Sequence, residues 1–212
     1  MNLEDLIYLE DLKVKSGDEA IDSLFRNKLS QVFSPSFLKK IDRVFNTTIK
    51  LKDFEKNNNV MCYTQGTKIY VNNAMFNSVP KEKAMNYIMH EMFHVLNNTG
   101  RFPELERVNE KLLNMVIRGV PRGKESDFLT GKHQNIHSDW RGECINYLCN
   151  NSINWDIAIG GMKIAYKTVL KESGLFNMDS PFWKERFGDT EALDFNRAKK
   201  ITKKRYKRSA SI

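Results

Sequence analysis

The segment that most constrains the fold is residues 81–98, KEKAMNYIMHEMFHVLNN, because its apolar residues recur at the spacing of one helical face. Pro80 precedes it where a first helical turn tolerates proline, and Gly100 follows as a helix terminator. The segment is therefore predicted to form an amphipathic helix with two histidines at the rim of the core. Its apolar stripe is Ala84, Ile88, Met92, Val95 and Leu96, and its other side carries Tyr87, His90, Glu91 and His94.

Two further helices are predicted near the start of the chain. Residues 16–33 and 34–45 each place apolar side chains on one helical stripe. Ser16 or Asp18 can cap the first of these helices.

The region between these helices and residue 81 has the alternating period of strands. Residues 47–53 alternate, residues 57–64 follow, and Gln65-Gly66 separates them from residues 67–71 in a way that suits a tight hairpin. We therefore expect about three strands here.

The rest of the body reads as helices interrupted by one long polar stretch. A helix opens at Pro103, and residues 138–151 and 156–174 suggest two more. Residues 118–135 are polar and contain glycine, so they are expected to form a lid or an exposed insertion. The fold class is therefore α+β, mainly helical, with a small β-sheet before the helix of residues 81–98.

The net charge of +8 comes from the C-terminal end of the sequence. Of the 34 basic residues eight lie from residue 197 onward, so the remaining 26 equal the 26 acidic residues. This tail either solubilises the chain or contacts nucleic acid or an acidic protein partner. The tail contains no acid, and its basic residues are Arg197, Lys199, Lys200, Lys203, Lys204, Arg205, Lys207 and Arg208.

The composition also favours a cytoplasmic protein with reduced thiols. No run of apolar residues approaches the roughly 20 needed to span a bilayer, and the first residues are acidic where a secretion signal is basic. Cys62, Cys144 and Cys149 form an odd set without CxxC spacing, which argues against a disulfide framework. Cys144 and Cys149 are expected to pack within a helix.

His90, Glu91 and His94 form an HExxH pattern, which is the spacing of a zinc site. Histidines four apart on a helix project from the same side and can converge on one ion. In this arrangement the glutamate stays off the metal and acts as general base towards a water whose pKa zinc lowers to about 7. The pattern therefore predicts zinc held by His90 and His94, with Glu91 as the catalytic base.

Residues 62–101 as a whole resemble a group of metallopeptidases of bacteria and their phages that are often found beside von Willebrand-type domains. In that group a strand pair similar to "DG…iyyNPeF" precedes HExxH, and an arginine follows. The matching residues are Gly66, Ile69, Tyr70, Asn72, Phe76, His90, Glu91, His94 and Arg101.

This resemblance implies a minimal zincin-like fold and a zinc peptidase. Asn73 replaces the family's proline, and a histidine frequent shortly after HExxH is missing. On this basis we divide the chain into an N-terminal helical segment (1–46), a zincin-like domain (47–195) and a basic tail (196–212).

A catalytic zinc site needs a third protein ligand, which must come from later in the chain. The metzincin pattern is excluded because Asn97 and Gly100 occupy its positions, so a carboxylate is expected. Glu143 is the leading candidate, on a helix and 49 residues after His94, similar to the gluzincin arrangement. Asp139 and His137 are the lesser candidates.

The related phage proteins carry an acidic segment after HExxH that aligns here in two ways. One alignment puts Glu143 near the acid, and the other puts Asn150 there, which would weaken the site because an amide is a poor zinc ligand. The stripe that contains Glu143, Asn146 and Asn150 could equally be an exposed polar face.

The residue that stabilises the oxyanion is left open by the sequence. His133, His137, Tyr147 and Tyr70 are the candidates. Packing is the more ordinary role for Tyr147.

The sequence thus predicts a cytoplasmic, phage-related zinc metallopeptidase that hydrolyses a protein or peptide. The alternative is a phage structural or assembly protein, associated with the virion, that keeps the fold and uses its basic tail on nucleic acid or an acidic neighbour.

Overall fold

The structure, a computed structural model, describes residues 13–42, 46–54, 60–129 and 143–190. These residues form a mainly helical α+β fold with a small sheet, so the predicted class is confirmed. The strands are β1 (Lys13–Lys15), β2 (Asn46–Lys52), β3 (Cys62–Gln65) and β4 (Lys68–Asn72). The helices are α1 (Glu19–Val32), α2 (Pro35–Asp42), α3 (Asn73–Ser78), α4 (Lys81–Asn98), α5 (Pro103–Gly119), α6 (Glu125–Phe128), α7 (Glu143–Cys149), α8 (Met162–Ser173) and α9 (Pro181–Phe187).

The first two helices form where the apolar period predicts them. The Asp18 carboxylate caps α1 by accepting hydrogen bonds from the backbone N–H groups of Ala20 and Ile21, at 2.9 and 3.2 Å. Ser16 instead donates its hydroxyl to the Asp18 carbonyl. The buried faces of α1 and α2 belong to the same hydrophobic core as the later helices. The division at residue 46 stays a prediction.

The sheet has the order β1-β2-β4-β3. β2 pairs in parallel with β1 and with β4, whereas β3 pairs antiparallel with β4 through the predicted hairpin. Gly66 in this hairpin has a φ of +60°, a left-handed conformation that glycine adopts without strain. The three strands expected between residues 47 and 71 are confirmed. β1 was not predicted, because three residues that pair with a distant strand carry no periodic signal of their own.

α4 is the helix predicted from residues 81–98, and it lies between the sheet and the later helices. Every residue of its predicted apolar stripe is buried. On one side it packs against β3 and β4, and on the other against α1 and α7. The short helix α3, capped by the Asn72 side chain, joins β4 to α4 and was not predicted.

The later helices complete the core around α4. α5 packs against α7 and α8, and α9 packs against α1. α8 ends at Gly174 as predicted, but it begins at Met162 because Gly161, with a φ of +93°, breaks the expected helix. α7 is the described part of the helix predicted over residues 138–151. Of residues 118–135, expected to form a lid or an exposed insertion, residues 130–135 lie outside the described residues. The described part includes α6 and is not wholly exposed, because Val120, Phe128 and Leu129 are buried.

All three cysteines are buried free thiols, and Cys144 and Cys149 pack within α7 as expected. None of the described helices has the length and apolar character needed to span a membrane.

Candidate metal centre

α4 brings His90, Glu91 and His94 together at the edge of the core. The two imidazoles project from the same side because they are one helical turn apart. Their Nε2 atoms lie 3.3 Å apart, and the two side chains are 14% and 29% exposed, which confirms their expected place at the rim. Ligand atoms of the three residues all lie within 4.8 Å of one another, so this group could hold a metal ion.

α7 packs against α4 and places Glu143 directly against both histidines. Glu143 Oε1 lies 3.3 Å from His94 Nε2, and Glu143 Oε2 lies 3.5 Å from His90 Nε2. The two imidazole nitrogens are 3.3 Å apart, and each has a different oxygen of the Glu143 carboxylate beside it, at 3.3 and 3.5 Å. We call the two imidazoles and this carboxylate the ligand triangle. Ligands that are about 2.0–2.2 Å from a tetrahedral ion are separated by about 3.3–3.6 Å, so each of these three contacts has the spacing of two ligands of one such ion.

Glu143 is not part of an exposed polar face, which was the alternative that the sequence left open. Its side chain is 7% exposed, and Asn146, one turn further along α7, is fully buried. A carboxylate is seldom buried without a compensating partner, and here the imidazoles supply it. This donor set of two nitrogens and one carboxylate oxygen fits zinc.

Glu91 points from α4 towards the sheet, where Thr64 of β3 holds it. The Thr64 hydroxyl lies 2.7 Å from Glu91 Oε2 and 3.1 Å from the Glu91 carbonyl oxygen, so its one hydrogen is shared between, or alternates between, the carboxylate and the backbone. Burial raises the pKa of Glu91 from 4.5 to about 7, although the hydrogen bonds from Thr64 lower it. A carboxyl with this pKa accepts and releases a proton near neutral pH, as a general base must.

Asn150 contacts the far nitrogen of His90, with Asn150 Nδ2 at 3.3 Å from His90 Nδ1. The oxygen of the same amide is buried and has no hydrogen-bond partner among the described residues. The nitrogen and oxygen of an amide are exchanged by a half turn of the group. In the turned orientation the oxygen accepts from His90 Nδ1–H, which leaves the Nε2 lone pair directed at the ligand triangle.

Side chains from two other helices fix both ends of α7. At its start, Asn109 of α5 accepts a hydrogen bond from the Ile145 backbone N–H at 3.1 Å. At its end, the buried Arg186 of α9 donates to the carbonyls of Leu148 (2.6 Å) and Cys149. A cation at a helix C-terminus also interacts favourably with the helix dipole. α7 is short, so these anchors set where Glu143 lies.

The candidates for oxyanion stabilisation differ in their position relative to the metal centre. Tyr147 is buried, and its ring packs edge-on against His90 with centroids 5.5 Å apart. Tyr70 lies on the other side of the sheet, stacked on Tyr63, and so it is not at the centre. His133 and His137, like the alternative ligand Asp139 and the basic tail, lie outside the described residues.

Sequence reasoning missed Thr64, Asn109 and Arg186 as parts of the site. Each acts through a contact with a residue at least 27 positions away, and none belongs to a recognisable motif. The sequence alignment indicates Asn150 only as a substitute for the acid, whereas in the structure it contacts Nδ1 of His90.

No protein-family model matches the chain, and no curated protein or solved structure matches it either. The metallopeptidase resemblance therefore stays a prediction, and the case for function depends on the geometry of the centre.

Proposed function

We propose that this protein is a zinc-dependent hydrolase of peptide bonds. The observation that carries the proposal is the convergence of His90 Nε2, His94 Nε2 and the Glu143 carboxylate, with the carboxyl of Glu91, whose pKa is raised, beside them. Three protein ligands around a tetrahedral zinc would leave the fourth position for a water or a substrate oxygen.

His90, His94 and Glu143 would hold the ion, and Glu91 would stay off it. When bound, Zn²⁺ supplies Lewis-acid polarisation of the scissile carbonyl and lowers the pKa of a coordinated water. Asn150 would orient His90, and Arg186 and Asn109 would keep Glu143 in position through α7.

In the proposed reaction Glu91 accepts and then donates the proton. The water oxygen bonds to the carbonyl carbon, Glu91 accepts the proton that is released, and the C–N bond breaks as this proton passes to the amine nitrogen. Thr64 restrains the carboxylate during these transfers. A pKa of about 7 suits both the uptake and the return of the proton.

An extended peptide is the substrate that the fold suits best. β3 is one of the two edge strands of the described sheet, the other being β1, and β3 packs against α4. An edge strand can pair with an extended peptide through backbone hydrogen bonds. Such pairing beside Thr64 would bring the peptide close to Glu91 and the ligand triangle.

The first experiment is metal analysis of the purified protein. We expect near-stoichiometric zinc, or uptake of zinc by protein treated with a chelator. Glu143→Ala should bind zinc much more weakly. Protein that neither contains nor takes up zinc would refute the proposal.

The second experiment measures cleavage of labelled casein and of a peptide mixture by detecting new amino termini. Glu91→Gln should retain zinc but lose cleavage, while Glu110→Gln, a matched change at an exposed position on α5, should behave as wild type. Activity that survives in Glu91→Gln would remove the assigned base.

The alternative of an assembly protein that only keeps the fold was supported mainly by an uncertain third ligand. The position of Glu143 at 3.3–3.5 Å from both imidazoles weakens that argument. The phage-related origin and the cytoplasmic setting stay predictions.

A further inference from the structure

The sheet has a second face, opposite to the one that packs on α4, and we call it the outer face. Strand residues alternate between the two faces. Ile49, Ile69 and Val71 are buried on the inner side, and Thr64 on that side reaches Glu91. The outer face, as we define it, consists of the alternate positions Thr48, Lys50, Lys52, Tyr63, Gln65, Lys68 and Tyr70.

The outer face is positively charged although the body of the chain is neutral. Lys50, Lys52 and Lys68 are all exposed, and the face as defined contains no acid. The nearest described acid along β2 is Asp53, just past the strand end, and its carboxylate accepts a hydrogen bond from Asn73. Every side chain of the outer face can donate a hydrogen bond, as phosphate oxygens require. Equal numbers of acids and bases in the body thus conceal a local excess of bases.

The same face carries aromatic rings in contact with one another. Tyr63 and Tyr70, paired across β3 and β4, stack with centroids 5.0 Å apart and planes inclined by 17°. Phe54 extends the row with its ring centroid 5.3 Å from that of Tyr63. Lys52 Nζ lies 5.9 Å from the Tyr70 centroid. Tyr63 remains 37% exposed, so its ring is accessible to a ligand.

We propose that the outer face binds single-stranded nucleic acid without strong sequence preference. Lysines that follow a backbone, combined with an exposed aromatic ring on which a base stacks, are the two features of such surfaces. Lys50 and Lys52 lie about 7 Å apart along one strand, comparable with successive phosphates of an extended single strand. An acidic peptide would use the lysines but not the aromatic row, so nucleic acid explains more of the face.

This surface is independent of the proposed hydrolase. Tyr63 and Thr64 are neighbours on β3, and their side chains lie on opposite sides of the sheet. Nucleic acid on the outer face would leave the ligand triangle on the inner side uncovered, so either proposal can fail without the other.

The test is fluorescence anisotropy with the full chain, a labelled oligothymidylate and a salt series. Replacing Lys50 and Lys52 together by glutamine should weaken binding about tenfold. It should also make the slope of log affinity against log salt concentration less steep by about 0.7 for each lysine. Tyr63→Ala should weaken binding about tenfold through lost stacking. The matched control replaces Lys171 and Lys184, exposed on α8 and α9, by glutamine and should bind as wild type. Circular dichroism verifies that each variant is folded.

A second set of variants distinguishes binding by the outer face from binding by the basic tail. A full chain whose basic residues from 197 onward are replaced by glutamine should still bind the oligonucleotide and should still respond to the Lys50 and Lys52 changes. Binding that depends on the tail alone would overturn the proposal. Equal losses in the control variant, or equal affinity for duplex DNA or for polyglutamate, would overturn it as well.

Discussion

Replacing Glu91 by glutamine is expected to stabilise the metal-free protein, and to do so more as the pH rises. Burial raises the pKa of Glu91 from 4.5 to about 7, so the folded state binds this proton more tightly than the unfolded chain does. The free energy of unfolding therefore falls as the pH rises from 4.5 through about 7. At about 1.4 kcal/mol for each tenfold change in proton affinity, the loss approaches about 3 kcal/mol.

The measurement is urea unfolding of wild type and Glu91→Gln in the presence of EDTA, over a range of pH. The amide keeps an oxygen that can accept from Thr64, and His90 and His94 titrate in both proteins. The variant should match wild type near about pH 4 and exceed its unfolding free energy by about 3 kcal/mol near about pH 8.

Glu110→Gln serves as the control, because this exposed glutamate should show no such divergence. Two stability curves that run parallel from acid to neutral pH would show that the Glu91 carboxyl is not desolvated as the structure indicates. Zinc added at neutral pH should stabilise both proteins according to its concentration and affinity.

Three further changes test the surroundings of the centre. Asn150→Leu should lower zinc affinity about 10–100-fold by removing the acceptor for His90, while Asn150→Asp should retain it, as measured by competition with a chelator. Arg186→Met should lower the free energy of urea unfolding by about 2–4 kcal/mol because it strips hydrogen bonds from buried carbonyls, whereas Lys184→Met, exposed on the same helix, should have little effect. Gly66→Ala should cost about 1 kcal/mol in thermal or urea unfolding, because the hairpin requires a positive φ.

The parts of the fold that could be predicted are those with a local period. The stripe of α4 and the alternation of β2 follow from spacing along one short segment, and Gly66 marks its hairpin by itself. β1 and α3 were missed because each is short and depends on neighbours. β1 is defined by its pairing with β2, and α3 by the cap from Asn72.

Some residues of the metal centre can be recognised from their spacing in the sequence, and others only from the packing of the elements. His90, Glu91 and His94 share one helical turn, so their spacing reveals them. The sequence favours Glu143 because zinc needs a third ligand and this carboxylate lies on a predicted helix. Only the packing of α7 on α4 distinguishes it from the other acids. Thr64 belongs to the centre only because β3 packs against α4, and no spacing of residues in the sequence predicts its contact with Glu91.

The hydrogen bonds from Arg186 to the end of α7 impose an order on biosynthesis. The helix with both histidines leaves the ribosome long before α9, so for that interval Glu143 lacks the anchor that holds its helix in place. A nascent chain that ends before α9 therefore has an incompletely anchored ligand set. Under the proposed function, cleavage would begin only once α9 has docked on the end of α7.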